Sequence, residues 1–176
     1  MLSVFDGLRD VTTLSVFVRL ACALICGGII GIERSYKRRP AGFRTHILIC
    51  IGAAITTLTS QYLYLNMHYF TDMARLGAQV VAGIGFIGAG TIIVTKRQRV
   101  KGLTTAAGLW TSAIIGLTFG GGFYEGGILA TVFIMLAELV FSRIEYRVLE
   151  NVPEINLYME YEDKHCLDDV LQLYRS

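Results

Sequence analysis

The stretch Gly31-Ile-Glu-Arg-Ser-Tyr-Lys-Arg-Arg-Pro-Ala-Gly-Phe-Arg-Thr-His46 puts one carboxylate, Glu33, at the end of a long apolar run, followed at once by a basic loop. A carboxylate beside arginines usually pairs with one of them. The first reading of Glu33 is therefore a salt bridge to Arg34, Arg39 or Arg44 that pins the loop to the helix end. The second is a carboxylate that faces a vestibule and meets a proton or a cation, with Glu33 as the candidate metal ligand. Pro40 restricts the residue before it and Gly42 permits a turn, so the loop has a defined shape that lipid anchoring alone does not require.

Other polar groups fall inside apolar runs, where an ionisable side chain is by default a functional candidate. Arg19 lies near the start of the first run, where a long side chain can snorkel to the interface. Glu138 lies near the end of the last and is expected to pair with Arg143 or another base on the same side. Gln79 shares a helical face with Gly83, Phe86 and Gly90, and its amide is expected to find a partner on a neighbouring span. Thr104, Thr105, Thr111 and Ser112 surround Trp110; their hydroxyls are expected to bond to their own helix backbone. Trp110 sits mid-run, away from the interfacial belt, and is expected to be buried among helices.

The elements that position these residues are membrane spans. The 176-residue chain is 53% hydrophobic and only 17% charged, with a mean hydropathy of +0.53. A soluble domain carries about 25% charged residues. Five runs approach the roughly 20 residues that a crossing helix needs: Leu14–Ile32, Ile47–Leu65, Leu76–Thr95, Leu103–Phe119 and Gly126–Phe141. The glycines Gly120-Gly-Gly122 separate the last two. Loop one carries Arg34, Lys37, Arg38, Arg39 and Arg44, and loop three carries Lys96, Arg97, Arg99 and Lys101. Loop two has Arg75 against Asp72, and loop four has only Glu125. This asymmetry places loops one and three in the cytoplasm, the N-terminus outside and the C-terminus inside. No cleavable leader is expected at the N-terminus, so the first span serves as the anchor. Anionic headgroups also suit the basic loops.

From Leu149 onward the composition changes. Ile155–Tyr161 alternates like a strand, and Leu167–Tyr174 has helical spacing. Residues 1–148 are thus read as a membrane domain, and 149–176 as a short cytoplasmic α/β tail, the start of a small or incomplete soluble domain. The fold class is an all-α polytopic membrane protein. Cys22, Cys26, Cys50 and Cys166 are read as free thiols.

Gly83-Ile-Gly-Phe-Ile-Gly88 matches a dinucleotide fingerprint, yet that motif needs a preceding strand and an acidic residue about 20 positions on. Here it lies inside an apolar span, so nucleotide binding is rejected. The same glycines suit close helix contact, or a broken helix lining a path. Gly27-x-x-x-Gly31 and Gly116-x-x-x-Gly120 offer the packing device in spans one and four, and such faces also allow a homodimer. No cofactor and no nucleic-acid partner is called for. His46, His68 and His165 lie apart without a nucleophile, which argues against an enzyme.

Four ordered motifs together resemble the MgtC/SapB family of bacterial membrane proteins. They are Gly31-Ile-Glu-Arg34, Arg39-Pro-Ala-Gly-Phe-Arg-Thr45, Ala78-Gln-Val-Val-Ala-Gly-Ile-Gly-Phe-Ile-Gly-Ala-Gly90 and Lys101-Gly-Leu-Thr-Thr-Ala-Ala-Gly-Leu-Trp110. The resemblance implies a helical inner-membrane domain and a role under magnesium limitation, with links to virulence and acid tolerance. It implies either an ion-moving or ion-sensing protein, Mg²⁺ being the ligand or substrate, or a non-transporting regulator that docks on another membrane complex such as the ATP synthase. Carried over by motif, the site residues are Glu33, Arg34, Arg44, Thr45, Gln79, Gly83, Gly85, Thr104, Thr105 and Trp110.

Overall fold

A backbone in hydrocarbon must satisfy its own N–H and C=O groups, and an apolar run does so by forming a helix. The computed structural model describes residues 3–70, 72–94 and 100–149, and these are mostly helical. A 3-10 helix over Ser3–Leu8 precedes α1 (Thr13–Tyr36) and α2 (Phe43–Leu65). Then come α3 (Arg75–Ala89), the short strands β1 (Ile93–Val94) and β2 (Val100–Lys101), α4 (Leu103–Gly120) and α5 (Tyr124–Leu136). A π-helical segment, Ala137–Phe141, leads into α6 (Ser142–Leu149). This is an all-α membrane protein. The tail segments Ile155–Tyr161 and Leu167–Tyr174, and Cys166, lie outside the described residues.

Four helical runs are long and apolar enough to cross a bilayer: α1, α2, α4 and the continuous run Tyr124–Ile144. The third predicted span is shorter than expected. Its 15 residues reach about 22 Å, against about 30 Å of hydrocarbon. The helix stops because Gly88, Ala89 and Gly90 give way to Thr91-Ile-Ile-Val94, whose β-branched side chains favour extended backbone. The Thr91 hydroxyl donates to the Gly88 carbonyl at 2.8 Å. β1 and β2 then pair antiparallel, Ile93 opposite Lys101 and Val94 opposite Val100. Gly83, Gly85 and Gly88 all lie within α3, so the fingerprint-like spacing has no strand-turn-helix around it.

Helix ends are closed by local devices. At the start of α1, Thr12 Oγ1 accepts from the Ser15 amide and Ser15 Oγ accepts from the Thr12 amide, a reciprocal capping box. At its end the Arg39 amide bonds to the Arg34 carbonyl and the Arg38 amide to the Ser35 carbonyl. That is the Schellman pattern, with Arg38 in the left-handed position at φ 53°. Ser35 Oγ then accepts from the Phe43 amide at 2.8 Å, so α1 caps the first turn of α2.

The core of the unit ending at Leu139 lies where α2 packs against α1 and α4. Glycines let these backbones approach. A Cβ on Gly31 would sit 2.7 Å from Phe43 Cα, and one on Gly27 would sit 2.9 Å from the His46 carbonyl oxygen. Gly116 and Gly120 meet the carbonyls of Cys50 and Ala54 still more closely. The expected small-residue packing of spans one and four is therefore present. Ala23, Cys26, Ile30, Cys50, Ala54, Ile115, Phe119 and Tyr124 fill the centre. Ala53, Ile84, Leu109 and Ala113 seat α3 on the bundle. Cys22, Cys26 and Cys50 are free thiols. A second unit begins at Val140, and its described part ends with α6.

Candidate functional site at the basic end of the bundle

Polar side chains gather where α1 ends and α2 begins. Arg34 is 1% exposed. Its Nη1 donates to Glu138 Oε2 at 2.8 Å and its Nη2 to Thr105 Oγ1 at 3.0 Å. One guanidinium thus joins α1 to α4 and to the π-helical segment after α5. Glu33 is 7% exposed, and its Oε1 lies 2.6 Å from Lys37 Nζ. The expected partners Arg34, Arg39 and Arg44 do not take that place: Lys37 stands four residues on, over the same helix face. Lys37 also donates to the main-chain carbonyl of Glu138. Glu138 was expected to pair with Arg143 or another base on the same side, and Arg34 is such a base.

His46 completes the cluster from α2. Its Nδ1 lies 2.9 Å from the Gly42 carbonyl, so it is the protonated nitrogen and leaves Nε2 as acceptor. The ring packs against α4 at Gly108, with Nε2 buried and without a hydrogen-bond partner. Glu33 Oε2 and Arg34 Nε are likewise buried without hydrogen bonds. The charges of Glu33, Arg34 and Glu138 are close enough to act on the imidazole. Two ion pairs, Arg34 with Glu138 and Lys37 with Glu33, stand side by side in the cluster. Among the described residues no three or more His, Cys, Asp or Glu side chains are grouped to cage a metal ion.

The opposite end of the bundle holds a second polar network, around Arg19. The expectation of a snorkelling side chain is wrong, since Arg19 is fully buried. Its Nη1 donates to Gln61 Oε1 at 2.7 Å and to the Gly120 carbonyl at 2.9 Å. Its Nη2 donates to the Leu8 carbonyl at 3.3 Å and to the Arg9 carbonyl. Acceptors carried in by the 3-10 helix and by the negative C-terminal end of α4 make burial favourable. Arg9 continues the network, donating to the Gly122 carbonyl at 3.0 Å and to Glu125 Oε1 at 2.6 Å. Gly122, at φ 78°, leaves the Arg19 guanidinium room that a side chain would take. Between the two ends lies the apolar centre described above.

A family model described as MgtC family matches residues 20–147. The chain belongs to the MgtC family. It is similar to YhiD of Escherichia coli strain K12, named as a candidate magnesium transporter, at 42% identity over 82% of this chain and 69% of that protein. It is similar to SapB of Bacillus subtilis strain 168 at 32% identity over 89% of this chain and 71% of that one. It is also similar to MgtC of Salmonella typhimurium strain LT2 at 37% identity over 74% of this chain, which spans 54% of that relative. No solved structure matches.

Of the residues carried over by the MgtC motifs, the structure brings Glu33, Arg34 and Thr105 into the cluster. Arg44 is exposed and Thr45 half-buried on the first turn of α2. Thr104 is exposed beside buried Thr105. Thr105 does not bond only to its own helix, since it accepts from Arg34. Thr111 and Ser112 do bond back, both to the Gly108 carbonyl, at 3.0 and 2.8 Å. Gln79, Gly83 and Gly85 lie exposed on α3, and none of the described residues approaches within 4 Å of a Cβ on either glycine. Among the described residues no hydrogen bond joins Gln79 to a neighbouring span. Trp110 is 45% exposed, because it falls off the stripe Thr105, Leu109, Ser112, Gly116 that α4 buries. Sequence reasoning missed Lys37 and His46 as members of the cluster. The i, i+4 spacing of Glu33 and Lys37 was the available signal.

Proposed function

We propose that this chain is an inner-membrane protein of magnesium homeostasis that binds Mg²⁺ at the basic end of its bundle, and so senses or moves the ion. Membership in the MgtC family and the name of YhiD support the magnesium connection. The observation that carries the reading is Glu33, a carboxylate almost wholly buried at a helix end with Oε2 lacking a hydrogen bond. A buried unsatisfied acceptor costs about 1–3 kcal/mol, more when charged, and a bound cation would relieve that cost. Mg²⁺ keeps several waters and is commonly held by one or two carboxylates, which suits Glu33 with Glu138 nearby better than a full protein cage. Excess Lys and Arg in residues 34–44 orients this end toward the cytoplasm.

The test is equilibrium binding together with flux. Chain reconstituted in liposomes should bind Mg²⁺, and Glu33→Gln should lose that binding. Mg²⁺ entry down a steep gradient would assign movement. Binding without entry would assign sensing.

The second reading is a regulator that docks on another membrane complex, the ATP synthase being the partner that the family resemblance suggests. It is favoured by α3, where Gln79, Gly83 and Phe86 are all exposed and Gly83 and Gly85 have open space above them. Glycine in a helix interior costs about 1 kcal/mol relative to alanine. Packing among the described residues gives no return for that cost at these two positions, whereas a partner helix would. Co-purification in mild detergent that is lost in Gly83→Leu would support docking.

A further inference from the structure

The two cations of the basic-end cluster are held differently. Arg34 is enclosed and donates to two side chains on other elements. Lys37 is 26% exposed at its side chain and reaches inward from the helix end. Glu33 Oε1 and the main-chain carbonyl of Glu138 both receive its ammonium. That carbonyl belongs to the π-helical segment Ala137–Phe141. Such segments interrupt the regular ladder and recur at functional sites. A carboxylate oxygen and a carbonyl oxygen around one positive charge are also what a hard cation seeks. The second oxygen of Glu33 is buried and without a hydrogen bond among the described residues.

We propose that Lys37 is a tethered competitor for the cation: its ammonium occupies the position between Glu33 and the Glu138 carbonyl that an arriving divalent cation takes when it displaces the side chain outward. This rests on the reading of Glu33 as a cation ligand. The electrostatics favour exchange. Lys37 places a positive charge 2.6 Å from Glu33 Oε1. Its withdrawal removes that charge, and an arriving cation restores it. The backbone supplies the pivot. Lys37 is the C-cap of α1, and Arg38 behind it occupies the left-handed region at φ 53°. Displacement also frees the Glu138 carbonyl from α1, so occupancy of the site and the tie between α1 and the π segment become linked.

The experiment uses the full chain in lipid nanodiscs with MgCl₂ as the probe. Mg²⁺ affinity is measured for the wild type, Lys37→Met and Glu33→Gln. In parallel, acetylation of Lys37 by a water-soluble ester is followed by mass spectrometry with and without MgCl₂. The proposal predicts that Lys37→Met binds Mg²⁺ roughly tenfold tighter, within the usual range of linked equilibria. Glu33→Gln should lose binding, and saturating Mg²⁺ should accelerate acetylation of Lys37 several-fold. Equal affinities of wild type and Lys37→Met, with acetylation unchanged by Mg²⁺, would overturn the competitor while leaving the cation site standing. No binding in either protein would overturn both. A normal helical circular-dichroism spectrum for Lys37→Met, whose side chain keeps most of the apolar stem, excludes misfolding as the cause.

Discussion

Arg34 Nη1 lies 2.8 Å from Glu138 Oε2, although 104 residues separate the two in sequence. The pair is mostly removed from water and ties the end of α1 to the π-helical segment. Removing one partner of a buried ion pair costs about 3–5 kcal/mol in interiors. Arg34→Met should therefore destabilise the bundle by about 3 kcal/mol, toward the lower limit because Glu138 keeps some exposure. Arg34→Met with Glu138→Met should lose about 2 kcal/mol less than the sum of the single variants. Unfolding in mixed detergent micelles measures both, and additive losses would deny the coupling.

The glycines divide into two classes with opposite predictions. A Cβ on Gly116 meets the Cys50 carbonyl, whereas a Cβ on Gly83 meets none of the described residues within 4 Å. Gly116→Ala should destabilise by about 1–3 kcal/mol through overpacking. Gly83→Ala should be neutral or stabilise by up to about 1 kcal/mol through helix propensity. Thermal denaturation of the two variants in one detergent makes the comparison. A large loss from Gly83→Ala would mean that α3 packs differently from the description above.

Arg38 sits at φ 53° where glycine is the usual residue. Left-handed backbone costs an L-residue roughly 1–2 kcal/mol. Arg38→Gly should raise stability by up to about 1 kcal/mol, less than the strain relieved because glycine also gains freedom in the unfolded chain. A fall in melting temperature for this variant would contradict the assigned turn.

Arg19 donates to groups on three different parts of the chain: Gln61 on α2, Gly120 at the end of α4, and Leu8 with Arg9 at the N-terminal segment. Lysine offers a compact point charge and cannot reproduce the planar fork. Arg19→Lys should loosen the Ser3–Leu8 helix, visible as faster amide exchange at residues 3–9 with the bundle core still protected. Unchanged exchange there would show that the stacking of Phe5 on Tyr124, with centroids 4.8 Å apart, suffices by itself.

Most of the bundle was legible because a crossing helix needs a long apolar run, and length and composition reveal one directly. The early end of α3 was not, since Thr91-Ile-Ile-Val94 is as apolar as a span while favouring extended backbone. Glu33 and Arg34 stood out because they are charges at a span end, and the Lys37 pairing was readable from its spacing of four. The bonds from Arg34 to Thr105 and Glu138 were not, because they depend on which helices become neighbours. Arg19 misled for a related reason: its acceptors arrive from a segment and a helix end that only the fold brings together. Trp110 was misjudged from depth along the span, when its angle around α4 decides exposure.

The most direct test of the cation-binding account is equilibrium dialysis of Mg²⁺ against the purified chain, comparing wild type with Glu33→Gln and with Glu125→Gln at the opposite end. The account predicts saturable binding in the wild type and in Glu125→Gln, and none in Glu33→Gln. Binding that survives unchanged in Glu33→Gln, or that is absent from the wild type at millimolar Mg²⁺, would contradict it.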